Sequence, residues 1–163
     1  MRPDRGTLES LFENAPGFVG RLLALDAETL DDTLERAAEV ALEMPADEQV
    51  ELLNAHPRIG AAPSSVSALS FREQGYDHET GTTALQERLD ELNQQYEARH
   101  GFRFVIFVSG RSRQEIADLM PQYLARPTGE ERLRGLRDVI AIARARALAE
   151  DSPALARRSE EVR

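Results

Sequence analysis

The chain contains no cysteine, no lysine and no tryptophan. Without cysteine there is no disulfide, no thiolate nucleophile and no cysteine-ligated zinc. Without lysine there is no Schiff-base nucleophile and no lysine-anchored pyridoxal cofactor, and all 20 basic residues are arginine. Long hydrophobic runs are missing too. No apolar stretch approaches the ~20 residues of a membrane helix, and no secretory core follows Met1. The last residues, Glu161-Val162-Arg163, match no receptor-read address such as a peroxisomal tripeptide. A cytoplasmic protein that does not engage membrane is expected. The net charge of −9 argues against nucleic acid as a partner, because phosphate binding needs a basic field. An anionic small molecule would require a locally positive pocket.

Aromatic residues are only 6% of the chain, so the core has to rest on Leu, Ala, Val and Ile. A length of 163 residues with 41% apolar content suits one soluble domain. Helical signals dominate it. Leu8, Leu11 and Phe12 predict a first short helix, and Val19, Leu22 and Leu23 a second. Leu30, Leu34, Ala37, Ala38 and Ala41 recur at three and four, the mark of one buried helical face. Pro45 separates these from a helix over 47–54, which His56-Pro57 stops. Leu85, Leu89, Leu92 and Tyr96 predict a long helix ending at His100-Gly101. Three capping boxes, Ser70 to Glu73, Ser112 to Glu115 and Thr128 to Glu131, mark further helix starts.

One segment breaks the pattern. F-R-F-V-I-F-V, residues 102 to 108, is β-branched and aromatic with no helical period. A lone strand has no sheet to satisfy its amides and carbonyls, so helix ends, side chains, a partner subunit or a ligand must do so. The expected fold is therefore all-α: a single compact domain over 1–150, of about seven or eight helices, with one short buried extended segment. Residues 151–163 read as a charged, frayed tail.

Three groups of residues are candidates for chemistry. His56 lies at a helix C-terminus, where an imidazole can simply cap the last carbonyls. Pro57 fixes the backbone beside it and Gly60 leaves room nearby, which is also what a general acid or base requires. Glu73 and Gln74 follow Ser70 at a helix start, as a cap or as groups that orient an imidazole and hold a polar ligand. Arg144 and Arg146 lie on the last helix; one turned inward would supply positive charge to an anionic substrate. The histidines at 56, 78 and 100 have no metal-ligand spacing, so no metal is expected, and His78 and His100 are expected at the surface.

Taken together, these stretches resemble the family of OHCU (2-oxo-4-hydroxy-4-carboxy-5-ureidoimidazoline) decarboxylases, and they run nearly end to end. Phe12-Glu13-Asn14-Ala15-Pro16 looks like the family's F-E-x-S-P start. L-L-x-A-H-P, residues 52 to 57, is similar to its most distinctive motif, and S-x-x-E-Q, residues 70 to 74, to its second. F-V-I-F-V-S-G-R-S, residues 104 to 112, looks like its extended segment, and A-R-A-R-A-L like its final helix. Departures fall at Arg58-Ile59, at Gly75-Tyr76-Asp77 and at Ala147.

The resemblance implies a cofactor-free, all-helical homodimer that decarboxylates OHCU to S-allantoin and CO2 in urate degradation. His56 would be the acid/base and Glu73 its partner. Pro57, Ser70, Phe71, Arg72 and Gln74 would line the pocket. Phe104, Val105, Ile106, Phe107 and Val108 would offer backbone groups to the substrate, and Arg146 would hold it. Two other readings stay open. One is a non-catalytic helical adaptor in which these motifs are only caps, and the other a different lyase or hydrolase on the same scaffold.

Overall fold

The computed structural model describes residues 1–60 and 83–150. Among them are seven helices and no strand. They are α1 (Arg5–Leu11), α2 (Pro16–Leu23), α3 (Leu30–Glu43), α4 (Ala46–Asn54), α5 (Thr83–His100), α6 (Arg113–Leu124) and α7 (Thr128–Glu150). The fold is all-α, as the periodicity predicts. The Ser70 to Glu73 box, His78 and the tail over 151–163 lie outside the described residues.

Local chemistry sets the helix starts. The Asp4 carboxylate accepts from the Thr7 amide at 2.8 Å, and the Thr29 hydroxyl from Asp32 at 3.1 Å. The predicted box at α6 is formed in both directions. Ser112 Oγ accepts from the Glu115 amide at 3.1 Å, and the Glu115 carboxylate accepts from the Ser112 amide at 3.0 Å. The third predicted box is not formed. Glu131 is fully buried and its carboxylate takes the Tyr96 hydroxyl at 2.8 Å and the Arg134 guanidinium at 2.6 Å instead. A buried carboxylate needs a charged partner more than a helix start needs a second cap. Thr128 is diverted as well: its hydroxyl pairs with His100 Nδ1 at 2.8 Å. His100 is therefore buried, not at the surface, with its Nε2 against the Tyr123 carbonyl at 3.2 Å.

The long α7 is the spine. It contacts α1, α3, α4 and α5, and buries Leu136, Val139, Ile140 and Ala143 among Leu11, Leu34, Ala37 and Leu53. Contact with α4 is tight at Gly135, where a Cβ would meet Leu53 Cδ2 at 2.9 Å. Glycine is what lets these two helices touch. Helices α5 and α6 pack as a pair, and the residues joining them run beneath α7.

Candidate active site

The joining segment over 102–108 is extended, with Phe102, Phe104, Val105, Ile106 and Val108 buried. It ends where Ser109 and Gly110 adopt positive φ of 50° and 77°. With no neighbouring strand, side chains satisfy part of its backbone. Arg134 Nη1 donates to the Val105 carbonyl at 2.9 Å and to Asp138 at 2.9 Å, and Asp138 in turn accepts the Phe107 amide at 3.2 Å. Arg111 donates to the carbonyls of Val108 at 3.0 Å and Phe107 at 2.5 Å. The Arg134 guanidinium also lies over the Tyr123 ring at 4.5 Å and the Phe104 ring at 5.3 Å. Glu131 and Asp138 beside it hold Arg134 firmly charged, above its ordinary range despite burial. The same pairing reaches Tyr96, whose phenol is pushed well up by burial and by the Glu131 carboxylate. Not every group of this segment is therefore open to a substrate, since Phe107 N–H and three carbonyls are already taken. Phe104 and Ile106 make no backbone hydrogen bond among the described residues.

His56 follows the last turn of α4, its amide donating to the Leu53 carbonyl at 3.2 Å. The residue is half-buried as a whole, yet ring Nδ1 is shut from solvent and has no hydrogen-bond partner among the described residues. A buried, orphaned ring nitrogen is uncommon in a native fold and marks a position kept for something other than packing. Desolvation, then the positive charge of Arg146, lower the imidazole to about 4, with the Leu52 carbonyl acting the other way. At neutral pH the ring is uncharged and able to accept a proton.

Arg146 points inward, 4% exposed, and donates to the Leu11 carbonyl at 3.0 Å. Glu13 Oε2 stands 3.9 Å from it. Arg144 is exposed and reaches only the Leu34 carbonyl at 3.3 Å. Thus α4, the α1–α2 turn and α7 bring together an imidazole, a guanidinium and a carboxylate. Pro57 is half-buried beside them, and Glu73, Ser70, Phe71, Arg72 and Gln74 lie outside the described residues. Glu13 was not singled out by its chemistry in the sequence, although it stands in the quoted F-E-N-A-P stretch. A separate cavity, of about 90 Å³, opens between Asn14–Phe18 and Met44, Glu48, Glu51 and Leu52, one turn of α4 before His56 and without its ring.

Fold and site together define an all-helical domain with a neutral, half-buried histidine set beside a buried arginine in an acidic molecule. By sequence the chain belongs to the OHCU decarboxylase family, whose model matches residues 4–148. It is 29% identical over 145 residues to the uric acid degradation bifunctional protein PucL of Bacillus subtilis (strain 168). That match covers 86% of this chain and 28% of the relative, so the chain spans little more than a quarter of the curated protein's length. Among solved structures it resembles an OHCU decarboxylase crystallised in the presence of (S)-allantoin, with a TM-score of 0.71 at 20% identity, covering 88% of this chain and 95% of that one. It also resembles an (S)-allantoin synthase, with a TM-score of 0.65 at 20% identity, covering 89% of this chain and 48% of that one. The predicted family and the predicted helical fold are both confirmed.

Proposed function

We propose that this chain decarboxylates OHCU to S-allantoin and CO2, with His56 as the acid/base. The observation that carries the reading is a neutral imidazole beside Arg146 whose Nδ1 is shut from solvent with no hydrogen-bond partner among the described residues. Family membership supplies the reaction class. The geometry supports proton movement by the imidazole.

Breaking the carbon–carboxylate bond leaves an electron pair, which the substrate accepts into the imine and carbonyl groups of its own ring. Gain of a proton at that carbon completes the product. The protein's tasks are to hold the anion, move a proton and choose the face that receives it. Neutral His56 takes the hydroxyl proton of the substrate or, once protonated, returns one to the carbanionic carbon, a contribution of about 10²–10⁴-fold. Glu73 sets the tautomer of the ring, with Pro57, Ser70, Phe71, Arg72 and Gln74 as pocket wall. Arg146 provides the positive charge that draws an anion into a chain of net charge −9. The extended segment contributes the backbone of Phe104 and Ile106, with Val105, Phe107 and Val108 held in place by Arg134, Asp138 and Arg111. No cofactor takes part. The working form is a cytoplasmic homodimer.

The assay generates OHCU from urate and follows the circular dichroism of the product, with and without a metal chelator. Rapid, chelator-resistant appearance of S-allantoin is expected. Racemic product at the spontaneous rate rejects the reading in favour of an adaptor or a different lyase.

A further inference from the structure

Arg103 stands at the second position of the extended segment and reaches back to the end of α4. Its Nη1 donates to the carbonyl of Asn54 at 3.0 Å and to that of His56 at 3.1 Å, while its own amide donates to Asn54 Oδ1 at 2.9 Å. These are terminal carbonyls, which a helix leaves without partners of its own. Behind them, Glu97 of α5 draws the arginines together. It bonds Arg58 Nε at 3.0 Å and Nη2 at 2.9 Å and stands 3.8 Å from Arg103 Nε. Three pieces of chain, the end of α4 with the turn after it, the extended segment and α5, are thereby tied around the carbonyl of the residue that carries the imidazole.

We propose that Arg103 is a positioning residue for His56, locking the His56-Pro57 turn against the extended segment so that the ring and the segment's backbone keep one register. This rests on the decarboxylase reading for the chemistry, but the lock itself does not need a substrate to be observed. Without the Arg103 guanidinium, the turn keeps the His56 amide bond to Leu53 at 3.2 Å, the residue-103 amide on Asn54 Oδ1, the Arg58–Glu97 pair and the fixed φ of Pro57. No side chain then holds the carbonyls of Asn54 and His56. A helix end whose last carbonyls lose their partners frays, and here that end carries the imidazole. A displacement of ~1 Å at a reacting group costs on the order of 10²-fold in rate.

The charged groups around His56 make the lock measurable. Arg146 of α7, with Glu13 of the α1–α2 turn against it, faces the ring, and Arg103, Arg58 and Glu97 lie on the side of its backbone. Burial is the larger cause of the lowered imidazole pKa, so a loosened turn that admits water raises it from about 4 toward its ordinary 6.5. Arg103 itself contacts the main chain and not the ring.

The test compares Arg103→Ala and Arg103→Lys with the parent, following the His56 ring by NMR against pH in the free protein and measuring kcat and KM separately. For Arg103→Ala the ring titration moves upward and kcat falls about 10- to 100-fold with a smaller change in KM. Arg103→Lys, which keeps one donor, recovers part of both. Asn54→Ala, which loses only the link to the Arg103 amide, shows the same upward movement to a lesser degree and serves where Arg103→Ala does not fold. An unmoved His56 titration with parental kcat in Arg103→Ala, or in Asn54→Ala and Arg103→Lys where that variant is unfolded, overturns the inference. So does a loss confined to KM. The titration is read without substrate, so a parent protein inactive on OHCU would sink the decarboxylase reading and leave this result standing.

Discussion

A single imidazole decides most of what happens at the residue scale. The folded chain holds His56 at about 4 against an ordinary 6.5, so as pH falls the unfolded chain takes up the proton first. Stability from this group is therefore complete above 6.5 and drains away between 6.5 and 4, by about 3 kcal/mol from the size of the shift. Urea unfolding of the parent at pH 7 and pH 4.5 shows that loss, and His56→Asn, which has no ring to protonate, loses less. Equal losses in the two proteins contradict a buried neutral histidine. Activity follows the same group, with the acid limb of kcat/KM falling near 4 and not near 6.5. Helical phase in the sequence separates Arg146 from Arg144. Arg146 follows Val139, Ile142 and Ala143 by seven, four and three residues, which places it on the buried stripe, and Arg144 falls off it. Glu13 was hidden for a different reason. Its partner lies at the far end of the chain, and no local pattern announces so distant a contact.

Among elements, the extended segment and the crossing of α4 with α7 determine the site's shape. Absence of helical period gave away the segment, and its lack of a sheet raised the correct question about its backbone. The answer was not readable, because Arg134 and Asp138 sit on α7 and look like ordinary i,i+4 partners until the segment passes beneath them. Thr128 to Glu131 shows the converse: a local signature overruled by a tertiary demand, since Tyr96 and Arg134 claim the carboxylate. At the crossing, Gly135→Ala places a methyl 2.9 Å from Leu53 Cδ2, so the fully buried Leu53 side chain has to shift. The substitution improves helix propensity by ~1 kcal/mol yet is expected to destabilise by about 1–3 kcal/mol overall, read from the shift in denaturation midpoint. A more stable variant would mean that the Leu53 tip yields at little cost and that Gly135 is not needed for this crossing. Leu53 stands three residues before His56, so the strain runs toward the site.

For the whole molecule, a chain of net charge −9 buries Arg146 beside His56, and in our reading an anionic substrate uses that charge and a second copy of the chain completes the working form. Light scattering on the purified protein is expected to give twice the 18.2 kDa of one chain, and a single-chain mass would remove the homodimer. The central claim joins the imidazole to stereoselective loss of CO2. Its most direct test measures S-allantoin by circular dichroism from freshly made OHCU, with the parent and His56→Asn side by side at pH 7. The account predicts rapid optically active product from the parent and at least a ~10²-fold slower enzymatic rate from the folded variant. Equal rates and equal optical activity from both proteins would contradict it.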